Sequence, residues 1–148
     1  MALGDNLSAQ FKAELFKTSL SKGDVFLNKF DTIDHPKFFI VAGLSGDKVF
    51  TCSVYINSNI HPSIQKKQEL LNLQVPIKGS KYKFLTHDSF VCCSTPLPIK
   101  SELINLWIEN KSCQVKGKID DEDLENIQLT IINSGLLTEE EIELYFTR

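Results

Sequence analysis

With 148 residues, 42% hydrophobic and 24% charged, the chain has the size and composition of one globular domain and lies outside the disordered class. No stretch reaches the roughly 20 consecutive apolar residues of a membrane span. The most apolar N-terminal run, residues 3–20, is broken by Asp5, Lys12, Glu14 and Lys17 and lacks the apolar centre and cleavage site of a signal peptide, so a cytoplasmic location and no membrane partner are expected. A chain of this length buries roughly 68–70% of its unfolded surface and needs neither a disulfide nor a metal to fold. Cys52, Cys92, Cys93 and Cys113 show no C-x-x-C spacing, and reduced, partly buried thiols are expected.

The net charge of −3 conceals a division along the chain. Residues 1–59 carry six Lys and six acids, residues 60–118 nine Lys against four acids, and residues 119–148 nine acids against Arg148 alone. A polyanion would be drawn to the middle third and repelled by the tail.

In chain order, Leu7, Phe11 and Leu15 at i, i+4 and i+8 predict a short amphipathic helix over residues 6–18. Strands follow at residues 25–30, 38–42 and 49–56, the last two joined by a Ser45-Gly46-Asp47 turn. In the third, Phe50, Cys52, Val54 and Ile56 alternate with Val49, Thr51, Ser53 and Tyr55, which points one apolar face inward. Residues 57–83 are the least regular, with a helical turn near 64–71, and read as a functional loop. Short strands are expected at 84–86 and 90–94, the second ended by Pro96 and Pro98. A helix over 99–107 would present Leu103, Ile104 and Trp107, and residues 114–116 form a last strand. Asp120 or Asp121 caps an acidic helix with an inner stripe of Leu124, Ile127 and Ile131, stopped at Gly135. Thr138 with Glu141 forms a capping box for a final helix.

Five segments, in order, carry a family resemblance: Gly23-Asp24-Val25, Lys37-Phe38-Phe39-Ile40-Val41-Ala42-Gly43, Ile56-Asn57-Ser58, Asp88-Ser89-Phe90-Val91-Cys92 and residues 117–127. Together they resemble the PemK/MazF toxins and cover most of residues 23–131. The resemblance implies an α+β, mainly β fold: a small Src-homology-3-like barrel at 23–118, acidic C-terminal helices at 119–148 and an added N-terminal helix in residues 1–22, all one domain. It also implies a metal-independent endoribonuclease on single-stranded RNA, with no cofactor, acting as a homodimer and neutralised by a cognate antitoxin protein. Catalytic members open the second strand with Arg-Pro and close the third with Thr-Ser or Ser-Ser. Here Lys37 and Phe38 stand at the first pair, and Asn57 and Ser58 at the second. Lys37 brings a point charge in place of a planar fork, and Asn57 a hydrogen-bond donor without a hydroxyl.

RNA cleavage of this type needs a deprotonated 2′-hydroxyl, a stabilised phosphorane and a protonated 5′-oxygen. Lys37 could supply the charge, and His35, two residues away, has the pKa for proton transfer. Ordinarily a Lys opening a strand is a solvated charge, a His before Pro a loop residue, and Asn-Ser-Asn a turn. Residues 77–84 alternate basic and aromatic side chains, which suits a strand lining a single-stranded groove through Lys78, Lys81, Lys83 and a stacking Tyr82. The acidic face of the C-terminal helices should point away from that ribbon. His35, His61 and His87 have no metal-ligand spacing, and His87-Asp88 with Cys92 or Cys93 is a poor hydrolase triad because the thiols have apolar flanks. Lys37 and Asn57, as departures from the family, leave open a non-catalytic nucleic-acid- or protein-binding module on the same barrel.

Overall fold

The computed structural model describes residues 2–147, with side chains from residue 9 onward, so Leu7 lies outside the described side chains. The fold is α+β and mainly β, built on a six-stranded antiparallel sheet with helices on both faces. Strands β1 (Asp24–Asn28), β2 (Lys37–Leu44) and β3 (Phe50–Asn57) form a meander; β4 (Gln74–Ile77) and β5 (Ser89–Lys100) extend it beyond β3, and β6 (Cys113–Lys118) returns beside β1. The β2–β3 turn is held by its own polar side chains. Ser45 Oγ donates to Asp47 Oδ1 at 2.6 Å, that oxygen accepts the Val49 N–H at 3.0 Å, and Lys48 takes the positive φ of 61°.

One face of the sheet buries Val25, Ile40, Val54, Val91 and Cys93 against helices α5 (Asp121–Asn133) and α6 (Glu139–Phe146), through Ile127, Ile131 and Tyr145. The other buries Phe26, Phe39 and Val41 against Leu20, at the end of α1 (Ala2–Ser19), and against Ile104 of α4 (Ser101–Glu109). Both faces are therefore covered, and the outward face expected for β3 is not solvated: Thr51 and Ser53 are fully buried. Their hydroxyls are satisfied, Thr51 Oγ1 donating to Ile99 O at 2.7 Å and lying 2.9 Å from Ser53 Oγ.

Several expectations are corrected. Phe11 and Leu15 are 65% and 52% exposed; α1 meets the sheet through its last turn, where Phe16 packs on Phe26 with ring centroids 6.1 Å apart. Residues 57–83 are not one loop but two single-turn helices, α2 (Pro62–Gln65) and α3 (Gln68–Leu71), followed by edge strand β4. Residues 84–86 form no strand. Strand β5 runs through Pro96 and Pro98 to Lys100, because β4 pairs only with 89–92 and a missing N–H costs nothing on the unpaired edge beyond it. In α4 the packed side chains are Ile104, Trp107 and Ile108, while Leu103 faces out.

The acidic helix forms as expected. Asp120 Oδ1 accepts the Asp123 N–H at 2.8 Å, Gly135 at φ +79° follows the last turn, and Thr138 with Glu141 makes a capping box. Helix α6 sits so close to β2 that a Cβ on Gly43 would lie 2.7 Å from Tyr145 Cβ and 2.9 Å from Phe146 Cε1. Gly43→Ala is expected to cost about 1–3 kcal/mol in urea unfolding, as overpacked cores do.

The sheet ends in two edges, β4 and β6, with no ladder between them among the described residues. Side chains bridge that gap. Phe84, in the turn after β4, reaches the β6 backbone so closely that a Cβ on Gly117 would be 3.1 Å from its ring. All four cysteines are buried and unbridged. Among the described residues no helix is long and apolar enough to cross a membrane.

Candidate functional site

Antiparallel pairing brings the end of β1, the start of β2, the end of β3 and the start of β5 to one end of the sheet. The register sets Lys37 beside Asn28, Phe38 beside Ile56 and Asn57 beside Phe90. By strand alternation Lys37, Tyr55, Asn57 and Cys92 share one face. Lys37 Nζ donates to Asn57 Oδ1 and lies 5.4 Å from the centroid of the Tyr55 ring. Both side chains are half-buried. Burial lowers the Lys37 pKa, and the nearby Cys92 thiol partly opposes the shift. An ammonium in so little water acts more strongly on an anionic oxygen than a solvated one, and it keeps N–H groups beyond the one given to Asn57.

Ser58 turns to the other face. With Phe38, Phe84, Thr86, His87 and Ser89 it lines a recess of about 200 Å³. His87 Nδ1 lies 2.9 Å from the Asp88 carbonyl oxygen and 3.4 Å from Ser89 Oγ. A carbonyl beside Nδ1 assigns the proton to that nitrogen and leaves the Nε2 lone pair for chemistry. The loop is held in place by Gly79, whose N–H donates to Asp88 Oδ1 at 2.9 Å and whose missing Cβ would lie 2.5 Å from the His87 carbonyl carbon. His87 is thus the histidine that folding brings to Ser58. Its position two residues before the strand-opening Ser89 was the available signal. His35 is exposed in the β1–β2 loop and pairs with Asp34 at 2.9 Å, lowering that carboxyl's pKa; among the described residues no interaction joins it to Lys37 or Asn57.

The basic and aromatic ribbon is not a strand. Residues Gly79–Lys81 form a 3-10 turn, and Tyr82 is 7% exposed, so its ring has no face to offer a base. Its hydroxyl donates to Asp123 Oδ2 at 2.5 Å and accepts the Asp120 N–H at 3.2 Å. Burial, then the Asp123 bond, raise the Tyr82 pKa. Lys81 Nζ lies 2.6 Å from Asp120 and 3.0 Å from Asp123, so the acidic cap of α5 faces this segment instead of pointing away from it. Lys78 and Lys83 are exposed.

This clamp predicts a two-sided pH dependence. The Lys81 bond holds the Asp120 pKa low, so its contribution to stability is present at neutral pH and lost as pH falls through the carboxylate range. The Tyr82 pKa is raised, so its contribution is present below the usual tyrosine range and lost as pH rises through it. Melting temperature should fall below about pH 4 and again above about pH 9, where the buried thiols of Cys52, Cys93 and Cys113 resist ionisation together with Tyr82. Tyr82→Phe should shrink the alkaline fall; an unchanged alkaline arm would contradict the assignment.

Among the described residues no three His, Cys, Asp or Glu side chains are grouped to hold a metal ion. No protein-family model and no curated protein matches this chain.

Proposed function

We propose that this end of the sheet engages single-stranded RNA and that the chain is a PemK/MazF-like, toxin-type endoribonuclease on an Src-homology-3-like barrel, acting as a cytoplasmic homodimer and silenced by an antitoxin protein. The observation that carries the reading is the pairing of Lys37 with Asn57, the two positions that stand where the family places its catalytic Arg and Thr. In the proposed reaction the 2′-oxygen attacks phosphorus, the bond to the 5′-oxygen breaks, and a 2′,3′-cyclic phosphate and a 5′-hydroxyl remain. The RNA crosses the end of β3. There Lys37 and Asn57 on one face steady the negative phosphorane, and Ser58, next in the chain and turned to the other face, donates to the phosphate from across that end. Beside Ser58, His87 accepts the 2′-proton at Nε2, the proton-transfer part that sequence alone gives His35, and water protonates the departing 5′-oxygen. Lys78 and Lys83 attract the backbone.

The protons move through His87 and water and the charge rests on Lys37, so cutting of a labelled single-stranded RNA should be the same with and without EDTA and should leave cyclic-phosphate ends. Loss of cutting with chelator, or 3′-hydroxyl products, overturns the proposal. One observation favours the second reading, a non-catalytic binding module: His87 sits beside Ser58 on the face turned away from Lys37 and Asn57. Salt-sensitive RNA binding without cutting would select it.

A further inference from the structure

The row of side chains holding Lys37 continues on β1 to Asn28, and there the sheet borders a recess of about 440 Å³. Asn28, Phe30 and Trp107 contribute to its walls, with Lys29, Asp31 and Asn110 alongside. Asn28 is 1% exposed; its Oδ1 accepts from Ser112 Oγ at 3.1 Å, and its Nδ2 has no hydrogen-bond partner. Turning the amide over does not cure this. Ser112 Oγ has one proton and also lies 3.2 Å from the Trp107 carbonyl oxygen. With the amide turned, Nδ2 would donate to Ser112, Ser112 to Trp107, and Oδ1 would be left unpaired. In either orientation a buried amide lacks one partner, which native interiors seldom tolerate unless something else supplies it.

We infer that this recess binds a nucleobase-like heterocycle. Carboxamides match the mixed donor and acceptor edges of bases, and aromatic walls match their planes. Phe30 and Trp107 stand edge to face at 5.3 Å and form such a wall. The volume lies within the usual range of small-ligand sites. Lys29 offers a cation for an attached phosphate, while Asp31 disfavours the anion on its own side. The inference stands on the recess and does not need cleavage at Lys37. The base could come from an RNA strand or from a free nucleotide.

Trp107 is the only tryptophan, so its fluorescence reports on the recess directly. The full chain is titrated with AMP, CMP, GMP and UMP, and separately with a short single-stranded RNA. Saturable quenching by a mononucleotide identifies a free ligand; quenching by RNA alone identifies a strand. Asn28→Leu, which removes the unpaired amide, should abolish the quenching while keeping the fold. Asn110→Ala, on an exposed residue, should weaken it several-fold and decides the matter if the first variant misfolds. No quenching by any probe, or quenching unchanged in both variants, overturns the inference. RNA that binds by anisotropy while neither it nor any mononucleotide quenches Trp107 overturns the inference and leaves the Lys37 reading standing. Quenching by nucleotides without RNA cutting does the reverse.

Discussion

Lys37→Ala is expected to lower RNA cleavage by about 100-fold or more, the usual loss when a preorganised group facing developing negative charge is removed. The lysine meets the conditions for so large an effect. It is half-buried, desolvation lowers its pKa, and Asn57 fixes its position, so little reorganisation is needed when a phosphate arrives. It opens a strand and contributes no apolar core, so the variant should melt within a few degrees of the parent. Lys37→Arg separates charge from geometry: a planar fork placed at the same strand end should recover much of the rate. Single-turnover cleavage and thermal melts of the three proteins are the measurements. Wild-type cutting by Lys37→Ala would move the chemistry elsewhere.

Phe39→Ala should give the largest loss of stability, about 3–5 kcal/mol, the range for deleting a buried Phe side chain. Phe39 is fully buried on the sheet face covered by α4 and the end of α1. Its ring stacks on Phe26 at 5.3 Å and meets Phe30 at 6.0 Å and Trp107 at 6.2 Å. For a domain of this size such a loss lowers the melting temperature by roughly 10–15 °C. A fall of only a few degrees would mean that the aromatic cluster collapses around the void, which the packing of four rings from three separate segments argues against.

The meander was legible in the sequence because each of its strands is a run of β-branched and aromatic residues ended by turn formers, and the acidic helix because Asp120 and Gly135 mark its ends. What was hidden depends on contacts between distant segments. Pro96 and Pro98 read as terminators, yet β5 passes through them where its outer edge has no partner. Four-residue β4, with Pro76 inside it, is too short to show a period. Phe11 and Leu15 have helical spacing, but only the final turn of α1 reaches the core. Lys37 and Asn57 stood out only through the family resemblance, and the pairing of β2 with β3 is what sets them side by side. His35 is near Lys37 in sequence only, whereas the turn pinned at Gly79 leads from His87 into β5, which pairs with β3 and so sets His87 beside Ser58. Tyr82 looked free to stack because nothing nearby in the chain shows that Asp123, 41 residues later, takes its hydroxyl.

The central claim is that RNA meets the protein at the sheet end around Lys37 and Asn57. Titrating the isotope-labelled chain with a short single-stranded RNA bearing a 2′-O-methyl block, and following backbone and side-chain NMR shifts at low salt, tests it most directly. The account predicts the largest shifts at Lys37, Asn57, Ser58, His87 and Phe90, fading as salt rises. Shifts confined to α5 and α6, or none at low salt, would contradict it.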